Sequence, residues 1–168
     1  VAKGITGGYL PLAATLTTEK IYSAFSGEYK DLKTFFHGHT YTGNQLASAA
    51  AIANIGIFKK EKTLQKMQPK ITLLKNELKK ISELPHVGEV RQMGLMVGIE
   101  LVKNKNKKTP FALKDKISWK VCEKAKEKGL IIRPLGNVIV LMPHLSVSKE
   151  ELMQITGKTA EAIKEVTG

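Results

Sequence analysis

At 168 residues, the chain is long enough for one domain or parts of two, and its single cysteine, Cys122, rules out an internal disulfide. The formal net charge of +12 comes from 27 basic against 15 acidic residues, nearly all of the excess being lysine. No apolar run approaches the length of a membrane-spanning helix, and the lone cysteine suits a reducing, cytoplasmic compartment.

A basic chain invites a nucleic-acid reading. Here the lysines are spread along the chain, as in Lys59-Lys60, Lys79-Lys80 and Lys103 to Lys108, with little aromatic interleaving for base stacking. A solvated lysine surface is the better reading, and no nucleic-acid partner is expected. The only arginines are Arg91 and Arg133. Each is notable, because the guanidinium fork suits carboxylates and phosphates better than an ammonium does.

The opening run Val1-Ala2-Lys3-Gly4-Ile5-Thr6-Gly7-Gly8-Tyr9-Leu10-Pro11 sets a lysine against a turn of small residues. Such a lysine can approach a flat ligand and reach it with its amine, as nucleophilic attack on a carbonyl requires. Leu12 to Thr17 reads as a short strand. Thr17-Thr18-Glu19 then reads as a helix start with a threonine cap. Ser26 to Asp31 is a polar loop. Residues 35–44 form a dense irregular stretch whose Asn44 caps an alanine-rich helix from Gln45 to about Phe58.

Leu64, Met67, Ile71, Leu74, Leu78 and Ile81 recur at threes and fours, which is one buried helix face. Pro69 is expected to kink or split that helix, and Leu84-Pro85 to end it. Val87 to Val102, broken by Gly94 and Gly98, predicts a strand, a bend and a second strand. Asn104 to Thr109 is a charged loop. Lys114 to Lys128 predicts a helix with Ile117 and Val121 inward, stopped by Gly129. Two short strands, Leu130 to Arg133 and Val138 to Met142, flank Pro134-Leu135-Gly136. Ser148 and Glu151 make a capping box for a last helix with an inner stripe of Leu152, Ile155, Thr159 and Ile163. The order from residue 60 onward describes an α/β sandwich.

Taken singly, the polar candidates have plain readings. Lys3 is one lysine among many, Thr40 a helix-entry residue and Arg91 a salt-bridge residue. Arg133, set among Ile131, Ile132, Pro134 and Leu135, reads as an arginine on a buried strand end that needs a carboxylate. His37, His39, His86 and His144 lack metal-ligand spacing, so no metal is expected.

Three segments taken together say more. The run from Lys3 to Thr18, then His37-Gly38-His39-Thr40-Tyr41-Thr42-Gly43-Asn44, then Gly129 to Gly136 with Leu141-Met142-Pro143, resemble class III aminotransferases in order and distance. The resemblance implies the C-terminal part of a fold-type I α/β enzyme using pyridoxal 5′-phosphate (PLP). Residues 1–58 would be the remainder of the large cofactor domain and residues 59–168 the small C-terminal domain. Lys3 would be the Schiff-base lysine and the base that moves a proton on the substrate. His39, through its backbone, and Thr40 would hold the cofactor phosphate across a homodimer interface. Gly38 would line the substrate pocket, and Arg133 would pair with the substrate carboxylate. A threonine just ahead of a helix is physically suited to phosphate.

Within that class the runs look most like the branch of biotin biosynthesis that aminates 8-amino-7-oxononanoate, with S-adenosylmethionine, or lysine in some relatives, as amino donor. The run Ala13-Ala14-Thr15-Leu16-Thr17-Thr18 leans the same way, and a pyruvate-using ω-amino-acid transaminase is the alternative. The family's pyridine-nitrogen aspartate, phosphate cup and ring-stacking aromatic are expected upstream of Val1.

Overall fold

A computed structural model describes residues 1–168. The chain clusters into two compact units, Val1–Thr63 and Leu64–Gly168. Both mix helices with short extended segments, and the only sheet lies in the second.

In the second unit, α3 (Thr63–Ser82) precedes a hairpin of β1 (Val87–Met93) and β2 (Met96–Asn104). Met93 pairs with Met96, leaving Gly94 and Leu95 as the two-residue turn. Gly94 has φ +61, the glycine-first geometry whose twist matches a hairpin. Gly98 does not break the segment, because β2 runs straight through it. A two-residue strand, β3 (Thr109–Pro110), pairs with the far end of β2 where the stretch read as loop ends. Helix α4 (Ile117–Glu127), β4 (Arg133–Leu135), β5 (Val138–Leu141) and α5 (Lys149–Thr167) follow. The sheet is antiparallel throughout, in the order β1-β2-β5-β4.

Alternation along the strands separates the two faces. Val97, Ile99 and Leu101 of β2 and Ile139 and Leu141 of β5 point into a core shared with Leu74, Leu78 and Ile81 of α3, Val121 of α4, and Leu152 and Ile163 of α5. The opposite face carries Arg91, Met93, Met96 and Arg133, all exposed.

Two readings are corrected here. Of the kink or split expected at Pro69, the split does not occur: α3 is one helix through that residue. Losing one backbone bond to proline costs about 3 kcal/mol, whereas full burial of an aliphatic side chain contributes about 1.5–3 kcal/mol. Leu74, Leu78 and Ile81 are all buried farther along the same helix, so packing outweighs the missing bond. The strand expected at Leu130 to Arg133 instead starts at Arg133. Gly136, at φ +59, and Asn137 make the turn, so Leu135 pairs with Val138 and sets the register.

The first unit contains the short helix α1 (Glu19–Tyr22) and the long α2 (Gln45–Lys60). The Asn44 side chain accepts from the Ala47 amide at 2.9 Å, as a cap should. Thr18 occupies the α1 cap position but makes no side-chain cap bond. The strand expected over Leu12 to Thr17 does not form. Its place is marked by a single antiparallel bridge, Ala2 with Ala13, closed by bonds between Val1 and Ala14 at 2.7 and 2.8 Å. One bridge cannot extend into a ladder without further paired residues.

At the start of α5, the Glu151 amide donates to Ser148 Oγ at 3.0 Å, and Glu151 Oε2 accepts from the Ser148 amide at 2.7 Å. The amide bond, then the hydroxyl, hold the Glu151 carboxyl below its ordinary value. A carboxylate with a depressed folded-state pKa stabilises the fold above its unfolded pKa, and that stabilisation is lost as pH falls through the folded value. Ser148→Ala removes the cap bond to the Glu151 amide and should lower stability by about 1 kcal/mol. The Ser148 amide, which holds the Glu151 carboxylate, survives the substitution, so the deficit should persist at acid pH. Urea unfolding of both proteins at two pH values checks this, and an unchanged stability would contradict it.

Candidate active site

Lys3 begins a 3-10 turn, Lys3–Thr6, with φ +54. Left-handed backbone at a non-glycine residue costs about 1–3 kcal/mol and persists only where the surroundings enforce it. Two contacts enforce it here. Asn54 of α2 donates from Nδ2 to the carbonyls of Gly4 and Ile5, both at 3.0 Å. Thr6, which is buried, donates its hydroxyl to the Leu10 carbonyl at 2.6 Å and accepts from the Leu10 amide at 3.3 Å. Helix α2 packs against the whole turn.

Lys3 lies on the wall of a depression of about 520 Å³, formed with residues 10–13 and with His39, Tyr41, Thr42 and Gly43. Lys3 and His39, assigned from separate segments of sequence, are thus brought together. Gly38 and Thr40 do not line this depression, and Thr42 does. The His39 amide donates to Thr42 Oγ1 at 3.0 Å, so the donor assigned to a phosphate is engaged within its own turn. A file of rings runs through this segment, from Phe25 to Phe35, His37 and His39, with centroids 5.3, 5.5 and 5.0 Å apart.

Asn54 and Thr42 escaped the sequence reading. Asn54 carried a signal, since it is the one amide in the run Ala50-Ala51-Ile52-Ala53-Asn54-Ile55. Asparagine inside an apolar helix commonly has a specific hydrogen-bonding duty. Thr42 carried none, because its role depends on how the His39 turn closes.

Arg133 belongs to the second unit and opens β4. It is exposed rather than buried, because residue 134, not 133, faces inward beside Ile139. Burial therefore does not force a partner on Arg133. Arg133 makes no ion pair, although seven such contacts occur elsewhere in the chain. It lines a depression of about 720 Å³ on the open sheet face, which Arg91 also lines. Arg91 is engaged: its Nη1 donates to Glu89 and to Glu100, both at 2.7 Å. The bond from Glu100, then that from Glu89, raise its pKa above the ordinary arginine value.

The first depression suits a flat, anionic, aldehyde-bearing group. It holds a lysine and a histidine, hydroxyl donors in Thr42 and Tyr41, an apolar side at Leu10 to Leu12, and no carboxylate. A lysine beside such a surface, on an α/β scaffold, is an arrangement that a carbonyl-bearing cofactor could use. Residues 1–163 match the family described as aminotransferase class-III, and the chain belongs to that family, whose members depend on PLP.

Among curated relatives, an adenosylmethionine-8-amino-7-oxononanoate aminotransferase from Aquifex aeolicus is 53% identical over 166 residues, covering 99% of this chain and 37% of the relative. The crystal structure of the enzyme of the same name from Methanocaldococcus jannaschii superposes with a TM-score of 0.92 at 53% identity, covering 98% of this chain and 38% of that one. A PMP-bound aminotransferase from Vibrio fluvialis gives a TM-score of 0.88 at 28% identity, over 98% and 36% of the two chains. The chain thus spans just over a third of the length of the relatives it matches.

Removing the Asn54 staple should release the turn. In the full-length protein, Asn54→Ala is expected to slow turnover about tenfold to a hundredfold, the range a misplaced reacting group produces. Substrate KM should change less than twofold, which steady-state kinetics can check. A matched rise in KM would place Asn54 in binding rather than in positioning.

Proposed function

We propose that this chain is the C-terminal part of a PLP-dependent aminotransferase that converts 8-amino-7-oxononanoate to 7,8-diaminononanoate in biotin biosynthesis. S-adenosylmethionine is the amino donor in this reading. The enzyme works in the cytoplasm as a homodimer. Residues 1–58 complete the large cofactor domain, and residues 59–168 form the small domain. The observation that carries the reading is Lys3, held in left-handed backbone beside a depression without carboxylates. The choice of substrate is supported by 53% identity to enzymes named for it, against 28% for the Vibrio fluvialis enzyme.

When bound, PLP supplies an aldehyde for the lysine and a ring that takes up electron density from the substrate carbon. Lys3 Nζ holds the cofactor and afterwards takes the proton from the carbon that bears the transferred amine. The staple from Asn54 holds the backbone turn from which the Lys3 side chain projects. The His39 amide and the Thr40 hydroxyl hold the phosphate, as the resemblance implies, across the dimer interface. That amide now donates to Thr42 Oγ1, so holding a phosphate would mean giving up this bond, and the freed Thr42 hydroxyl could then serve as a further donor. Gly38 leaves room for substrate, since a Cβ there would meet nothing within 4 Å. Arg133, an unpaired guanidinium, takes the substrate carboxylate at the far end from the reacting carbon.

The state of the first unit supports a longer whole. It buries only Thr6, Ala47 and Ala51, and α2 exposes Leu46, Ile52, Ile55 and Ile57. A helix apolar on most sides is one that other chain segments cover.

In the full-length enzyme, Lys3→Ala should abolish turnover. Arg133→Ala should raise KM for the oxononanoate about tenfold or more while kcat changes little, the pattern of lost ground-state and transition-state binding alike. An unchanged KM would remove Arg133 from the carboxylate site. Activity with pyruvate as acceptor but not with the oxononanoate would favour an ω-amino-acid transaminase. Residues 1–168 alone should fail to bind PLP stoichiometrically, as read by absorbance titration. Tight uptake would contradict assignment of essential cofactor contacts to other segments.

A further inference from the structure

The open face of the second unit's sheet is ordered in rows. Register places Arg91 opposite Gly98, Gly98 opposite Val140, and Val140 opposite Arg133. These four residues form one row across four strands. The next row contains Glu89, Glu100, Val138 and Leu135. Each carboxylate is therefore a neighbour of the arginine row, and only one arginine of that row is engaged. Gly98 leaves space for this arrangement: a Cβ there would stand 3.3 Å from Val138 and 3.8 Å from the Arg91 guanidinium.

The reach of each carboxylate toward Arg133 follows from strand geometry. Neighbouring strands lie about 4.8 Å apart, and two residues along a strand span about 6.7 Å. Glu100 lies two strands across and two residues along from Arg133, so their Cα atoms are about 12 Å apart. Extended glutamate and arginine side chains reach about 5 and 7 Å. Glu100 can therefore form an ion pair with Arg133 whenever it is free to turn. Glu89 lies one strand farther, at about 16 Å, beyond that combined reach even with a hydrogen bond added.

We propose that Arg91 is a positioning residue that holds Glu100 away from Arg133 and so keeps Arg133 open to a substrate carboxylate. This rests on the assignment of Arg133 to that carboxylate. Arg91 does not touch the substrate. It engages the one acid on this face able to compete with the substrate for Arg133. Two carboxylates on a single Nη1 leave the triad with net negative charge, so Arg133 is the only uncompensated cation in the depression. Loss of Arg91 would free Glu100 to occupy Arg133, and substrate would then have to displace an internal carboxylate.

The test is a set of variants of the full-length enzyme, read as KM for 8-amino-7-oxononanoate at saturating amino donor. Arg91→Met should raise KM about tenfold with kcat within about twofold, while Arg91→Lys, which keeps a cation for Glu100, should stay near the parent. Arg91→Met/Glu100→Gln should return KM to within about twofold of the parent, because the competitor is gone. Arg91→Met/Glu89→Gln should not. If Arg91→Met does not fold, Arg91→Gln is read the same way. Unchanged KM in the Arg91 variant, or equal rescue by both glutamate substitutions, or rescue by neither, would each overturn the proposal. Arg133→Ala separates the two layers. If it leaves KM unchanged, the carboxylate assignment itself fails. If it raises KM while Arg91→Met does not, only the role of Arg91 fails.

Discussion

Two hydrogen bonds from one asparagine carry the first unit. Asn54 holds the carbonyls of Gly4 and Ile5, and with them a lysine whose backbone would relax to the right-handed or extended region if released. Strain of this kind is a small energetic cost with a geometric return, because it sets where the Lys3 side chain leaves the backbone beside the depression. Thr6 closes the same loop from the other side by engaging both backbone groups of Leu10. Helix α2 serves both ends of the arrangement. Its cap residue Asn44 ends the His39 segment, and its third turn supplies the staple.

The second unit works by a different division. One sheet face is committed to the core with α3, α4 and α5, and nearly every inward side chain there is fully buried. That packing fixes the strands, and fixed strands turn the other face into a ruled surface on which charge positions are set by register. Arg91, Glu89, Glu100 and Arg133 owe their spacing to this. Exposed ion pairs contribute little stability. Their significance on such a face lies in which charges are engaged and which are left free.

Much of this was legible in sequence, and the failures have physical causes. Signals confined to a few adjacent residues were reliable: the Ser148–Glu151 capping box, the Asn44 cap, the Gly94 hairpin turn and the buried stripe of α5 all stand where local chemistry put them. Readings that depended on distant partners were not. Leu12 to Thr17 has strand composition but only one bridged residue. Pro69 has helix-breaking chemistry but sits in a helix held by burial farther along. Arg133 has apolar neighbours in sequence, yet alternation turns it outward. Of the site, Lys3 and His39 share one depression, whereas Thr42 and Asn54 were missed because a turn closure and a contact across about 50 residues leave little trace in sequence order.

The central claim is that Lys3 is the covalent attachment point of the cofactor. Borohydride reduction of the natively isolated full-length protein, followed by peptide mapping by mass spectrometry, tests it most directly. The account predicts a phosphopyridoxyl group on the peptide containing Lys3 and on no other lysine. A label on a different lysine, or an unlabelled Lys3 in protein that carries bound cofactor, would contradict it.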